Sequence, residues 1–74
     1  MITAEDLKKI LDAAFPDATV NVQSNDNVHF NATVKTARFA NLSRVAQQQQ
    51  VYAALGDLIH NGTVHALSLQ TSAL

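Results

Sequence analysis

Cysteine is absent from this chain of 74 residues. That excludes disulfides, redox-thiol chemistry and every cysteine-based metal site, so a helix–sheet core has to supply the stability. Charged residues are sparse, at 15%, and the formal net charge is -1, so no global pull towards nucleic acid or anionic membrane is expected. No apolar run approaches the roughly 20 residues of a transmembrane helix. The opening Met1–Lys9 stretch lacks the basic-then-apolar layout of a signal peptide. A soluble, cytoplasmic protein without a membrane partner is the expectation. Gly56 and Gly62 are the only glycines, and neither builds a phosphate-cradling loop. With no nucleophile–base set and no paired catalytic carboxylates, the chain is not expected to be an enzyme.

What is present reads as one small α+β domain spanning residues 1–74. Thr3 is placed to cap a first helix, with Asp6 completing a capping box, and Glu5 and Asp6 suit the positive end of the helix dipole. Leu7, Ile10, Leu11 and Ala14 form an apolar stripe, while Lys8, Lys9 and Asp12 lie towards solvent. Phe15-Pro16 stops the helix, because proline disfavours helical geometry in the residue before it. Thr19–Ser24 then alternates, Val20 and Val22 inward. His29–Thr36 alternates again, with Val28, Phe30, Ala32 and Val34 inward and His29, Asn31, Thr33 and Lys35 outward. Asn25-Asp26-Asn27 turns between them, so the pair reads as a hairpin with one wet face.

Residues 37–41 turn the chain into a second helix capped by Ser43. Val45, Val51, Tyr52, Leu55, Leu58 and Ile59 recur at helical spacing and predict one broad buried face, with Gln48 amid it, partly buried and hydrogen-bonded. A kink is expected near Gly56, and Asn61-Gly62 ends the helix. Thr63–Thr71 alternates as a last strand. The order is αββαβ. It predicts a two-layer sandwich, a three-stranded mixed sheet with helices on one face, the last strand joining beside a strand it parallels.

The residues that carry chemistry are few. His65 stands in the last strand and is open, on the residues alone, to three roles: a hydrogen-bonded core histidine, a general acid or base, or a metal ligand. His29 projects from the wet face. His60, in the last turn of the second helix, is accounted for by the helix dipole. Lys35, Arg38 and Arg44 gather beside the turn at Asn41 as a small basic group.

Phe39, Ser43-Arg44-Val45, Gln48-Gln49, Val51-Tyr52 and Val64-His65-Ala66-Leu67-Ser68, in this order and spacing, resemble the BolA family. The Ser-Arg-Val and Gln-Gln-x-Val-Tyr elements are most similar to its IbaG (YrbA) branch. The resemblance implies a sheet similar to that of class II KH domains. It implies a non-enzymatic adaptor that docks on a monothiol glutaredoxin and shares a bridged [2Fe–2S] cluster, with glutathione completing the ligand set. His65 matches the family's C-terminal histidine ligand. His29 is the second candidate, in a Val28-His29-Phe30 step similar to the branch's Ser-His-Phe, whereas other members carry a loop ligand where this chain has Asn25-Asp26-Asn27. Asp26 is an oxygen-donor alternative, poorly matched to soft iron–sulfur chemistry. Imidazole on one iron is sound chemistry, as Rieske centres show. Cluster trafficking or iron and redox-stress regulation are the implied roles, with a monomer or weak homodimer when alone.

The alternative is a KH-like DNA-binding regulator of stress response and cell morphology, with Lys35, Arg38, Asn41 and Arg44 as its contacts. Here the resemblance departs. Some members carry Arg-His-Arg where this chain has Gln47-Gln48-Gln49, which removes the cations that drive counterion release and predicts weak binding. The family's Phe-x-Gly turn is Phe39-Ala40-Asn41. The family also continues past the last strand into a Thr-Pro-type turn and short helix, where this sequence reads Thr71-Ser72-Ala73-Leu74; a less covered last strand is expected.

Overall fold

Two capped helices are written into the first half of the chain and the middle of it, and both form. The computed structural model describes residues 2–60, Gly62, Val64 and 66–74. Helix α1 (Ala4–Ala14) starts from Thr3, whose hydroxyl accepts the Asp6 N–H while the Asp6 carboxylate accepts the Thr3 N–H, a complete capping box. It ends at Phe15, as the following proline requires. Leu7 and Leu11 are buried and Ile10 packs beside them, but Ala14 is exposed rather than on the buried stripe. It is the last helical residue, and its carbonyl accepts from Arg38 Nη1 at 3.3 Å.

Strands β1 (Thr19–Gln23) and β2 (His29–Lys35) pair antiparallel, and β3 (Ala66–Ser72) pairs parallel to β2, giving the order β1-β2-β3. Val20, Phe30, Ala32 and Val34 are buried under the helices, while His29, Asn31 and Lys35 of the opposite face are exposed. This is the α+β sandwich with helices on one face that the patterns predict. Val28 was expected inward and is exposed. The strand starts one residue later, and the Val28 N–H is held by Asp26 in the loop, so Val28 belongs to the turn. The expected strand start at Thr63, the Asn61 helix stop and His65 itself lie outside the described residues.

A 3-10 turn, Ala37–Phe39, follows β2. Phe39 is fully buried and meets the Phe15 ring edge-on, centroids 5.7 Å apart. Helix α2 (Arg44–Leu55) begins at Ser43, whose hydroxyl accepts the Ala46 N–H. The expected face is rotated. Val51 and Leu55 are buried, but Val45 is 63% exposed and Tyr52 39%. At about 100° per residue these two lie about 120° and 100° round the helix from Val51. The inward position is taken by Gln47, whose amide donates to Phe39 O at 3.2 Å and Leu42 O at 3.0 Å. Gln48 is half-buried and donates to Leu69 O at 3.4 Å, as its position predicts.

The kink near Gly56 is a break. Gly56 has φ 42°, a left-handed backbone that costs other L-residues energy, and helix α3 (Asp57–His60) restarts beyond it. A side chain at Gly56 has room, 3.5 Å from Ala53 O, so the backbone angle alone calls for glycine. From α3 the chain returns through buried Val64, whose N–H donates to Leu58 O.

Candidate functional site

The β1–β2 loop is short and polar, and its side chains replace the backbone pairing that a tighter turn would supply. Ser24 Oγ accepts the Asn27 N–H at 2.9 Å and donates to the His29 carbonyl at 2.6 Å. Asn27 takes φ 58°, which asparagine tolerates. Asp26 sits inside this frame. Its Oδ1 accepts the N–H groups of Val28 and His29, each at 2.9 Å, and its Oδ2 lies 2.9 Å from His29 Nδ1. These donors hold the Asp26 carboxyl far below the usual carboxylate range, the His29 N–H contributing most, then its ring and the Val28 N–H. Both Asp26 oxygens thus accept hydrogen bonds from the loop.

His29 itself is 73% exposed in its side chain. Its Nδ1 faces the Asp26 carboxylate, which leaves Nε2 as the ring nitrogen on the far side of that contact. Two hollows meet at this ring. One lies over the loop with Gln23, Asn25 and Asn31, and the other follows the β2–β3 seam past Asn31, Ala66 and Ser68. His29 is the register partner of Ala66, the first residue of β3. His65, the residue before it in the chain, is outside the described residues, so its role as a ligand stands on the sequence resemblance.

The donor set sets a limit on metal chemistry. Among the described residues no three histidine, aspartate or glutamate side chains gather as a metal site, and the chain has no cysteine. His29, with one nitrogen anchored and one available, fits the role of a single imidazole donor to an iron–sulfur centre.

The basic group does not assemble as expected. Arg38 is exposed but lies across the helix end: its guanidinium carbon is 5.3 Å from the Phe15 ring centroid, and the side chain also reaches Ala14 O. Asn41 is exposed with φ 69°, serving the turn in place of the family's glycine. Lys35 and Arg44 do come together, lining a cleft of about 340 Å³ with Gln48, Gln70 and Ser72. Gln47 lies away from it, buried against the turn.

Two roles carry little signal in the sequence. Asp26 reads as turn material or an oxygen donor, although the Asp-x-x-His spacing permits the side-chain bond to His29. Gln47 reads as less suited to the buried face than Val45, although it shares a helical face with Val51 and Leu55.

Comparison with known proteins agrees with this architecture. The model of the family described as BolA-like protein matches residues 7–74. A protein from the rpoN-murA intergenic region of Acinetobacter guillouiae is 39% identical over 93% of this chain and 82% of its own. The structure of a BolA protein homologue from Coxiella burnetii superposes with a TM-score of 0.84 at 30% identity, covering 99% of this chain and 92% of that one. A BolA-like protein from Rickettsia prowazekii superposes with a TM-score of 0.75 at 32% identity, over 99% and 96% of the two chains. On the match of the family model and these relatives, the chain belongs to the BolA-like family.

Proposed function

We propose that this protein is a non-enzymatic adaptor that docks on a monothiol glutaredoxin and supplies imidazole to a [2Fe–2S] cluster shared with it. The cluster is cargo in this reading. The partner's cysteine and glutathione hold it, and this chain contributes His65 with His29 as second donor, serving trafficking or iron and redox-stress regulation. The observation that carries the reading is the presentation of His29: a solvent-exposed ring, anchored through Nδ1, at the end of the sheet where β3 begins. Replacement of thiolate by imidazole would raise the cluster's potential.

The test is a titration of cluster-loaded monothiol glutaredoxin with this protein, followed by visible absorption and circular dichroism. A changed spectrum that His65→Ala abolishes and His29→Ala weakens is the expected result. Glutaredoxin binding with an unchanged spectrum would make the protein a metal-free assembly partner and end the cluster reading. The DNA-binding reading has less support, because Arg38 lies over the Phe15 ring and Gln47 is buried.

A further inference from the structure

We propose that Asp26 is a positioning residue for His29, fixing the imidazole as the Nδ1–H tautomer so that Nε2 faces outward as an unprotonated donor for a soft or borderline metal centre. This rests on the functional reading above and adds a residue to it. The ring contact is one of three that the Asp26 carboxylate makes, and the other two bind the backbone N–H groups of Val28 and of His29 itself. Oδ1 holds the two backbone N–H groups and Oδ2 meets the ring, so the loop sets the carboxylate where Nδ1 reaches it. Ser24 adds a bond to the same loop through the His29 carbonyl at 2.6 Å. With that proton donated, the hydroxyl's 3.5 Å approach to Asp26 Oδ1 leaves the carboxylate free for its own donors. A neutral histidine in water favours the opposite tautomer, with the proton on Nε2, which blocks coordination through that nitrogen. Carboxylates in this position behind a ligating histidine raise its basicity and fix its orientation.

Asp26→Asn provides the test. The amide oxygen keeps the two backbone N–H bonds and turns the NH2 group towards Nδ1, which then has to accept. The tautomer should invert. Long-range proton–nitrogen correlation spectra of the isolated protein, at a pH where the ring is neutral, read this directly. The wild type should show mainly Nδ1–H and Asp26→Asn mainly Nε2–H. Ser24→Ala, which removes the bonds to Asn27 and the His29 carbonyl but leaves Asp26 Oδ2 facing the ring, should keep the wild-type tautomer. With cluster-loaded glutaredoxin, Asp26→Asn should weaken the His29-dependent spectral change by about 10- to 100-fold in affinity. A wild-type ring that is mainly Nε2–H overturns the proposal, whatever the cluster does. If His29→Ala alters the cluster spectrum and Asp26→Asn leaves it intact, the proposal also fails while the functional reading stands. If neither histidine affects the cluster, that reading fails and takes the positioning role with it.

Discussion

His29 and Ala66 are partners in the parallel β2–β3 register, so the hairpin's histidine and the start of the crossover strand stand at one end of the sheet. Sequence distance hides this, since 37 positions separate them. A centre bound at this end would be reached from both the hairpin and β3. His29→Ala should therefore weaken capture of the shared cluster while leaving folding nearly untouched. The ring is exposed, and loss of an exposed contact of this kind changes stability by about 0.5 kcal/mol or less. Thermal unfolding beside the cluster titration separates the two effects.

Adjacent glutamines should behave very differently. Gln47 donates to two turn carbonyls from a buried position, whereas Gln48 makes one long bond at 3.4 Å from a half-buried one. Gln47→Ala orphans the Leu42 carbonyl and should cost about 1–3 kcal/mol. Gln47→Glu should cost more, because a carboxylate would face two carbonyl oxygens. Gln48→Ala should cost less than about 1 kcal/mol. Urea denaturation of the three variants checks the ranking, and equal losses would contradict the placement of α2.

Acid should loosen the hairpin loop and the start of α1. Asp26 and Asp6 both titrate below their ordinary value, Asp26 through the His29 N–H first and Asp6 through the Thr3 N–H first. A carboxyl depressed in the folded state contributes stability that is whole above its unfolded value, about pH 4. That contribution drains as the pH falls through the folded value. Unfolding midpoints should therefore drop between about pH 5 and pH 2.5, and Asp26→Asn should show a shallower drop than the wild type. An identical pH dependence in the variant would contradict the loop geometry.

Nucleic acid should bind weakly and with little salt dependence. Lys35 and Arg44 share one cleft, while Arg38 is committed to Phe15 and Ala14. Two phosphate contacts give a slope of log affinity against log salt no steeper than about -2. A much steeper slope, or sequence-selective binding at physiological salt, would favour the regulatory reading instead.

Much of this was legible because local chemistry and tertiary structure agree. The Thr3–Asp6 box, the Phe15-Pro16 stop and the alternation of Val20, Phe30, Ala32 and Val34 each state their own structure. Two of the departures, at α2 and at Val28, share a cause: a polar side chain that satisfies backbone groups. Gln47 satisfies two backbone carbonyls and so turns α2 until Val45 and Tyr52 face solvent. Asp26 gathers Val28 into the loop and so removes it from the strand's inward face. Periodicity ranks residues by hydrophobicity and does not count unpaired carbonyls and N–H groups. At the candidate site the histidines and Asp26 are visible in the sequence, and the bond between Asp26 and His29 is not.

Pulsed electron paramagnetic resonance of the reduced, shared cluster tests the central claim most directly. This protein, carrying isotope-labelled histidine, would be mixed with an unlabelled cluster-loaded glutaredoxin. Strong hyperfine coupling from labelled nitrogen, diminished in His65→Ala and in His29→Ala, is the result this account predicts. A fully formed complex whose cluster shows no labelled-nitrogen coupling would contradict it.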